Sequence, residues 1–200
     1  LIVPFLITTL VSSVITNLGI SKLNRIKLKQ VIRKEGPKNH FFKQGTPTMG
    51  GIFFIPVGIL ISNILYFQTD AYKIILSLSF LVLFFMFIGC LDDLISLKKK
   101  FNTGLTSSQK LILQFLISLI FIFICSSNNF IPNTIQIGSS IIKIGNLIYP
   151  LGIFVLLAES NSTNLTDGLD GLLSGCSALI FTGLAITILI ENPTNNYTLA

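Results

Sequence analysis

The sequence predicts an all-α fold, a polytopic helical bundle embedded in a membrane, with about six transmembrane helices in these 200 residues. Three observations predict it. Hydrophobic residues make up 51% of the chain and charged residues only 11%, with 17 Phe and no Trp, whereas soluble domains run near ~25% charged. Six apolar windows, 1–20, 49–67, 74–91, 111–126, 147–160 and 172–190, meet or approach the run that spans a bilayer as a helix, which is about 20 residues. The fourth and fifth windows are the short ones. Finally, the basic residues fall almost wholly on one side of the spans those windows define. A buried helix of a soluble protein would account for one such window, but not for six.

Orientation follows from that basic asymmetry. Lys22, Arg25, Lys27, Lys29, Arg33, Lys34, Lys38 and Lys43 lie between the first two windows, and Lys98, Lys99, Lys100 and Lys110 between the third and fourth. Lys73 and Lys143 alone occupy loops of the opposite side. The positive-inside rule then places the N-terminus outside and the loops at 21–48, 92–110 and 160–171 in the cytoplasm. The net charge of +6 is therefore mostly topological, and with no recognition module beside it, nucleic-acid binding is not expected. The first window has no basic region ahead of it, so it does not read as a signal peptide.

Cys90, Cys125 and Cys176 lie in or beside apolar segments, are odd in number and lack metal-ligand spacing, so they read as small buried hydrophobes. His40 sits in the first basic loop without a partner motif and reads as an ordinary loop residue.

The acids carry more information. Asp92, Asp93, Glu159, Asp167 and Asp170 all fall at the cytoplasmic ends of apolar windows, where carboxylates that persist tend to mark a site. Their common depth predicts a shared site. Asp92 and Asp93 close the third window; successive helical residues point about 100° apart, so the pair would spread over a wide arc. Acids at a helix C-terminus also oppose the macrodipole, so capping does not explain them. Asp167 and Asp170 are three apart and would share a face if that segment is helical. Gly168 and Gly171 follow them and leave the backbone open to a bulky ligand. An Asp cap at a helix start would explain one of the two, not both, nor Asn161 and Asn164 at helical spacing before them.

Several carboxylates at one membrane face repel each other and any phosphate. A divalent cation relieves that, and all-oxygen ligands beside an anionic substrate favour magnesium or manganese. Such an ion joins carboxylates to phosphate oxygens in phosphoryl transfer, with lysines holding the outer phosphates. Lys43, just ahead of "GTPTMGG", and Lys110, at the head of the fourth span, are placed for that.

These residues carry a resemblance. "FFKQGTPTMGGIFF", the Asp92–Asp93 pair, "GLTSSQKLILQ" and "NSTNLTDGLDGL" stand in the same order as in the bacterial phospho-N-acetylmuramoyl-pentapeptide transferases, the translocase I of peptidoglycan synthesis, from about Lys29 to Gly175. That family sits within the polyprenyl-phosphate N-acetylhexosamine-1-phosphate transferases. The Asp pair and the Asn/Asp stretch resemble the whole superfamily, while "TPTMGG" resembles the muramoyl branch.

The resemblance implies an enzyme of about ten membrane helices in the bacterial inner membrane, with a cytoplasmic cleft. It implies transfer of phospho-MurNAc-pentapeptide from its UDP carrier to undecaprenyl phosphate, with Mg2+, giving lipid I and UMP. The implied roles are Asp92 as the base that deprotonates or positions the lipid phosphate, and Asp93 as its partner at the metal and diphosphate. Asn161, Asn164, Asp167 and Asp170 match the nucleotide-side motif, Gly168 gives close backbone approach, and Lys43 and Lys110 match basic positions near the uridine diphosphate. Asp93 and Asp167 are the implied metal ligands. The implied partners are UDP-MurNAc-pentapeptide, undecaprenyl phosphate and the lipid bilayer, with a homodimer as a further expectation.

Family members run longer and carry a later Gly-Asp-x-Gly-Ser segment and a His-rich loop, neither of which is here. The expectation is therefore a single transmembrane domain that is a fragment, incomplete at the C-terminus and at the N-terminus, and inactive by itself. Two alternatives stay open: a UDP-GlcNAc:polyprenyl-phosphate GlcNAc-1-phosphate transferase, and a non-enzymatic transporter. A transporter would place its ionisable groups near the midplane on paired repeats, and no internal repeat is visible.

Overall fold

The computed structural model describes residues 2–26, 48–99, 104–138, 140–167 and 171–191. It is an all-α membrane bundle of six helices with one small hairpin. In chain order these are α1 (Ile2–Ile26), α2 (Gly51–Tyr66), α3 (Tyr72–Lys99), α4 (Ser107–Ser127), β1 (Thr134–Ile137), β2 (Ser140–Lys143), a 3-10 turn at Gly145–Leu147, α5 (Ile148–Thr166) and α6 (Leu172–Glu191). Each helix packs on the next in sequence, α5 and α6 least extensively. Three helices, α1, α3 and α4, are long and apolar enough to cross a membrane, and α2 and α6 are shorter apolar helices.

The distribution of side chains departs from that of a soluble domain. Large residues such as Phe5, Leu60, Ile64, Phe123, Leu179 and Phe181 point outward, while the buried set includes Ser77, Ser79, Gln114 and Ser118. Lipid is as apolar as Leu, so helices gain nothing by hiding Leu from it; small and polar residues make the interhelical contacts instead. Asn63 on α2, for example, donates to Ser79 Oγ on α3 at 2.7 Å. Glycine does the same for α4 and α5. A Cβ on Gly152 would stand 2.8 Å from Ile122 Cδ1, so the bare backbone lets the two helices close up.

Several element boundaries differ from the sequence reading, and each difference bears on the site. Asp92 and Asp93 do not end a helix: α3 continues through them to Lys99, and Lys98 and Lys99 in its last turn complement the dipole. The fourth span starts at Ser107 rather than near 111, because Thr106 caps it. The fifth helix does not stop near 160, since Ser160–Thr166 form its last turns. In all three cases polar residues continue a helix whose apolar part alone was visible. The hairpin between α4 and α5 was also not anticipated. Its β-branched residues Thr134, Ile135, Ile141 and Ile142, with Ile135 opposite Ile142, suit an extended pleated backbone. Of the three cysteines expected to be buried, Cys125 is, Cys90 is partly so and Cys176 is exposed. Cys176 lies in the first turns of α6, which packs on little else among the described residues.

Candidate active site

The polar ends of α3, α4 and α5 meet at one cleft. Its volume is about 1160 Å³, and Asp92, Gly104, Lys110, Phe154, Asn161 and Asn164 are among the residues lining it. The turn leading into α4 builds one wall. Thr106 Oγ1 accepts from the Gln109 amide at 3.3 Å while Gln109 Oε1 accepts from the Thr106 amide at 3.0 Å, a reciprocal capping box. This fixes the first turn of α4, and with it Lys110.

Asp92 is held from two sides. Its Oδ1 accepts from the Leu105 amide at 2.7 Å, and its Oδ2 lies 3.4 Å from Lys110 Nζ. Both side chains are largely covered, with 29% of Asp92 and 18% of Lys110 exposed. The same ammonium donates to Asn164 Oδ1 at 3.3 Å. One lysine therefore ties the carboxylate of α3 to the amide of α5, across the cleft. Gly104 packs directly on the Asp92 carboxylate and backbone.

Asp93 faces elsewhere. The backbone amide of Met49 donates to it, and Met49 is a buried residue at φ 69 just ahead of α2. The 100° step between neighbouring helical residues thus sends Asp92 to the α4–α5 cleft and Asp93 to the entry of α2. Asp167 follows the last turn of α5, where its amide bonds Thr163 O; it is exposed and does not line the cleft. The helix ends before it, so Asp167 is not on a helical face. Lys43, Gly168 and Asp170, like His40, lie outside the described residues.

The sequence reading expected one cluster of acids. Among the described residues no three acidic, His or Cys side chains come close enough to hold a metal ion. Glu159 is exposed on α5. What converges instead is one carboxylate, one ammonium and two carboxamides. That donor set fits magnesium in one mode. Mg2+ commonly takes one or two carboxylates and completes its shell with water and substrate phosphate, rather than occupying an all-protein cage. Asp92 supplies one carboxylate of that kind at the cleft, whereas Asp93 faces the entry of α2.

The sequence reading did not single out Gln114, Ser160 or Gly104. Gln114 is 1% exposed, donates to Ser160 Oγ and accepts from Asn161 Nδ2, both at 2.9 Å. A signal was available: a carboxamide inside an apolar run, four residues after Lys110, lies on the face of α4 that Lys110 marks.

Comparison with known proteins bears directly on this arrangement. Residues 75–200, which hold Asp92, Lys110, Asn161 and Asn164, match the model of glycosyl transferase family 4. The chain belongs to that family. Residues 43–55, leading into α2, match phospho-N-acetylmuramoyl-pentapeptide-transferase signature 1. Over 200 residues the chain is 75% identical to the phospho-N-acetylmuramoyl-pentapeptide-transferase of Prochlorococcus marinus strain NATL2A, a match covering all of this chain and 54% of that protein. It is 46% identical over 198 residues to the protein of that name from Prochlorococcus marinus strain MIT 9313, with 98% of this chain and 53% of the other covered. With its counterpart in Synechococcus sp. strain CC9311 it shares 43% identity over 198 residues, 98% of this chain and 54% of the other. The chain spans about half the length of the curated relatives it matches. Within glycosyl transferase family 4, then, the α3–α5 cleft lies in the family-matched region and the entry of α2 in the signature.

Proposed function

We propose that the protein to which this chain belongs is a magnesium-dependent phospho-N-acetylmuramoyl-pentapeptide-transferase of the bacterial inner membrane, with its site on the cytoplasmic face. It would move phospho-MurNAc-pentapeptide from UDP to undecaprenyl phosphate, forming lipid I and UMP. The observation that carries this reading is the Asp92–Lys110–Asn164 bridge, in a family-matched segment beside the transferase signature. The twelve-to-two distribution of basic residues supports the cytoplasmic placement.

In the proposed reaction an oxygen of the lipid phosphate attacks the sugar-bearing β-phosphorus. The bond from that phosphorus to the bridging oxygen breaks, and UMP leaves with the oxygen. Bound magnesium would neutralise charge on the diphosphate. Lys110 sits where it can hold a phosphate oxygen while Asp92 fixes its ammonium. Asp92 already has a partner on each oxygen, Leu105 N–H and Lys110. That favours a role in binding and orienting the lipid phosphate over one as a covalent nucleophile, which would have to give up one of those partners. Asn164, proposed to stand on the nucleotide side, accepts from the same lysine. Asp93 and Asp167 as metal ligands, and Lys43, Gly168 and Asp170 beside the nucleotide, complete the proposal.

The test is exchange of labelled UMP into UDP-MurNAc-pentapeptide by membranes carrying the full-length protein. Exchange should require Mg2+ and fall at least ~100-fold in Asp93→Asn, a usual scale for losing a preorganised charge. Undiminished exchange in that variant, or exchange with UDP-GlcNAc in place of the muramoyl donor, would contradict the reading.

A further inference from the structure

The hydrogen bonds around Gln114 fix the direction of every amide in their chain. Leu157 O can only accept, and Asn161 Nδ2 stands 2.8 Å from it, so the nitrogen of Asn161 must face that carbonyl. The same nitrogen is 2.9 Å from Gln114 Oε1, and Gln114 Nε2 is 2.9 Å from Ser160 Oγ. An amide nitrogen has two protons, and both protons of Asn161 are taken. What Asn161 has left for the cleft it lines is Oδ1, an acceptor. Asn164 is set the opposite way: Lys110 occupies its Oδ1 and leaves its Nδ2 as a donor. One turn apart on α5, the two asparagines therefore offer opposite hydrogen-bonding groups.

We infer that Gln114 is a positioning residue, which clamps Asn161 so that its Oδ1 receives an N–H or O–H donor of the nucleotide-sugar substrate. The inference deepens the function proposed above and rests on it for the identity of the ligand. The clamp is rigid for a physical reason. Gln114 is 1% exposed, and a carboxamide in an apolar interior loses heavily if its partners are missing. Turning Asn161 over would point its oxygen at Leu157 O and at Gln114 Oε1, setting acceptor against acceptor twice. Ser160 and Asn161 sit side by side on α5, so a single side chain of α4 also sets the rotation of that helix about its axis.

The test uses the full-length protein in detergent. Gln114→Leu keeps the volume and removes both bonds. It should raise KM for the nucleotide sugar about tenfold, the scale of one well-made hydrogen bond, and leave KM for the lipid phosphate and kcat within about twofold. Gln114→Glu, protonated in that interior, can still donate to Ser160 and accept from Asn161, and should restore the nucleotide KM. Asn161→Ala should raise the same KM, and Gln114→Leu with Asn161→Ala should be no worse than Asn161→Ala alone. Additive effects, a nucleotide KM unchanged in folded Gln114→Leu, or a uniform fall in kcat would overturn the inference. If the wild type does not turn over a nucleotide sugar, the proposed function fails instead. The clamp is then read from thermal unfolding of the same four proteins, where additive shifts would overturn it too.

Discussion

Gly104 and Asp92 touch so closely that no side chain fits between them. A Cβ on Gly104 would stand 2.6 Å from the Asp92 carbonyl oxygen and 2.8 Å from its Cγ, and closer still to Oδ1. The contact is what brings the Leu105 amide to 2.7 Å from that Oδ1. Gly104→Ala should therefore push the carboxylate off the Leu105 amide and weaken its hold on Lys110. Losing a hydrogen bond to a charged group costs about 1.5–3 kcal/mol, so UMP exchange should fall by about ten- to a hundredfold. Gly89→Ala, one turn before Asp92 on α3 with open space around its Cβ position, should leave exchange within about twofold. Equal activity in the two variants would show that the Asp92 position does not matter.

Lys110 serves two partners on two helices. Lys110→Ala should leave Asp92 without its counter-ion and Asn164 without its donor, and exchange should drop about 100-fold or more. Lys110→Arg keeps the charge but spreads it over a planar fork, so it should recover only part of the activity. Steady-state rates at fixed ionic strength decide this. Full recovery would mean that charge alone matters and that the compact ammonium geometry does not.

The capping box at the head of α4 makes a separable prediction about stability. Thr106→Ala removes the hydroxyl that accepts from the Gln109 amide, at a cost of about 1 kcal/mol. Thermal unfolding in detergent should show a lower midpoint, whereas Thr106→Ser should match the wild type. An unchanged midpoint in the alanine variant would place the start of α4 under tertiary control.

Gly152 predicts a size threshold between α4 and α5. Its obstacle is Ile122 Cδ1, the far end of a flexible side chain. Gly152→Ala should be mild, because Ile122 can turn aside. Gly152→Leu should wedge the helices apart and cut both stability and exchange, since the Gln114 bonds cross the same interface. Adding Ile122→Ala should restore much of the loss, as overpacking is relieved by removing volume on the facing side. A double variant as poor as Gly152→Leu alone would refute this account.

The membrane bundle was legible because lipid demands long apolar runs, and those runs survive any detail of packing. Helix ends were not. Asp92, Asp93 and Ser160 looked like the start of loops, yet α3 and α5 carry their polar residues onward as helix. Residue types at the cleft could be read, since Asp92, Lys110, Asn161 and Asn164 are costly near a membrane without a purpose. Their partners could not be read. The Leu105 amide and the Gly104 contact depend on where residues 104–106 lie against α3, and no period in the sequence encodes that. Gln114 was overlooked because one polar residue barely disturbs an apolar window, although its spacing from Lys110 was there to be used. Asp93 separates from Asp92 as the helical angle requires, but its meeting with Met49 depends on where α2 begins.

The length of α5 has a consequence for how the chain enters the bilayer. From Ile148 to Ala158 it offers eleven residues without a charge before Glu159, Ser160 and Asn161 follow. At 1.5 Å per residue that is about 16 Å, roughly half of the ~30 Å hydrocarbon slab. Left alone in lipid, its polar half would have unpaired amides and hydroxyls with nowhere to turn. Gln114 provides for two of them, Ser160 and Asn161, so α4 brings with it the partners that the polar end of α5 needs.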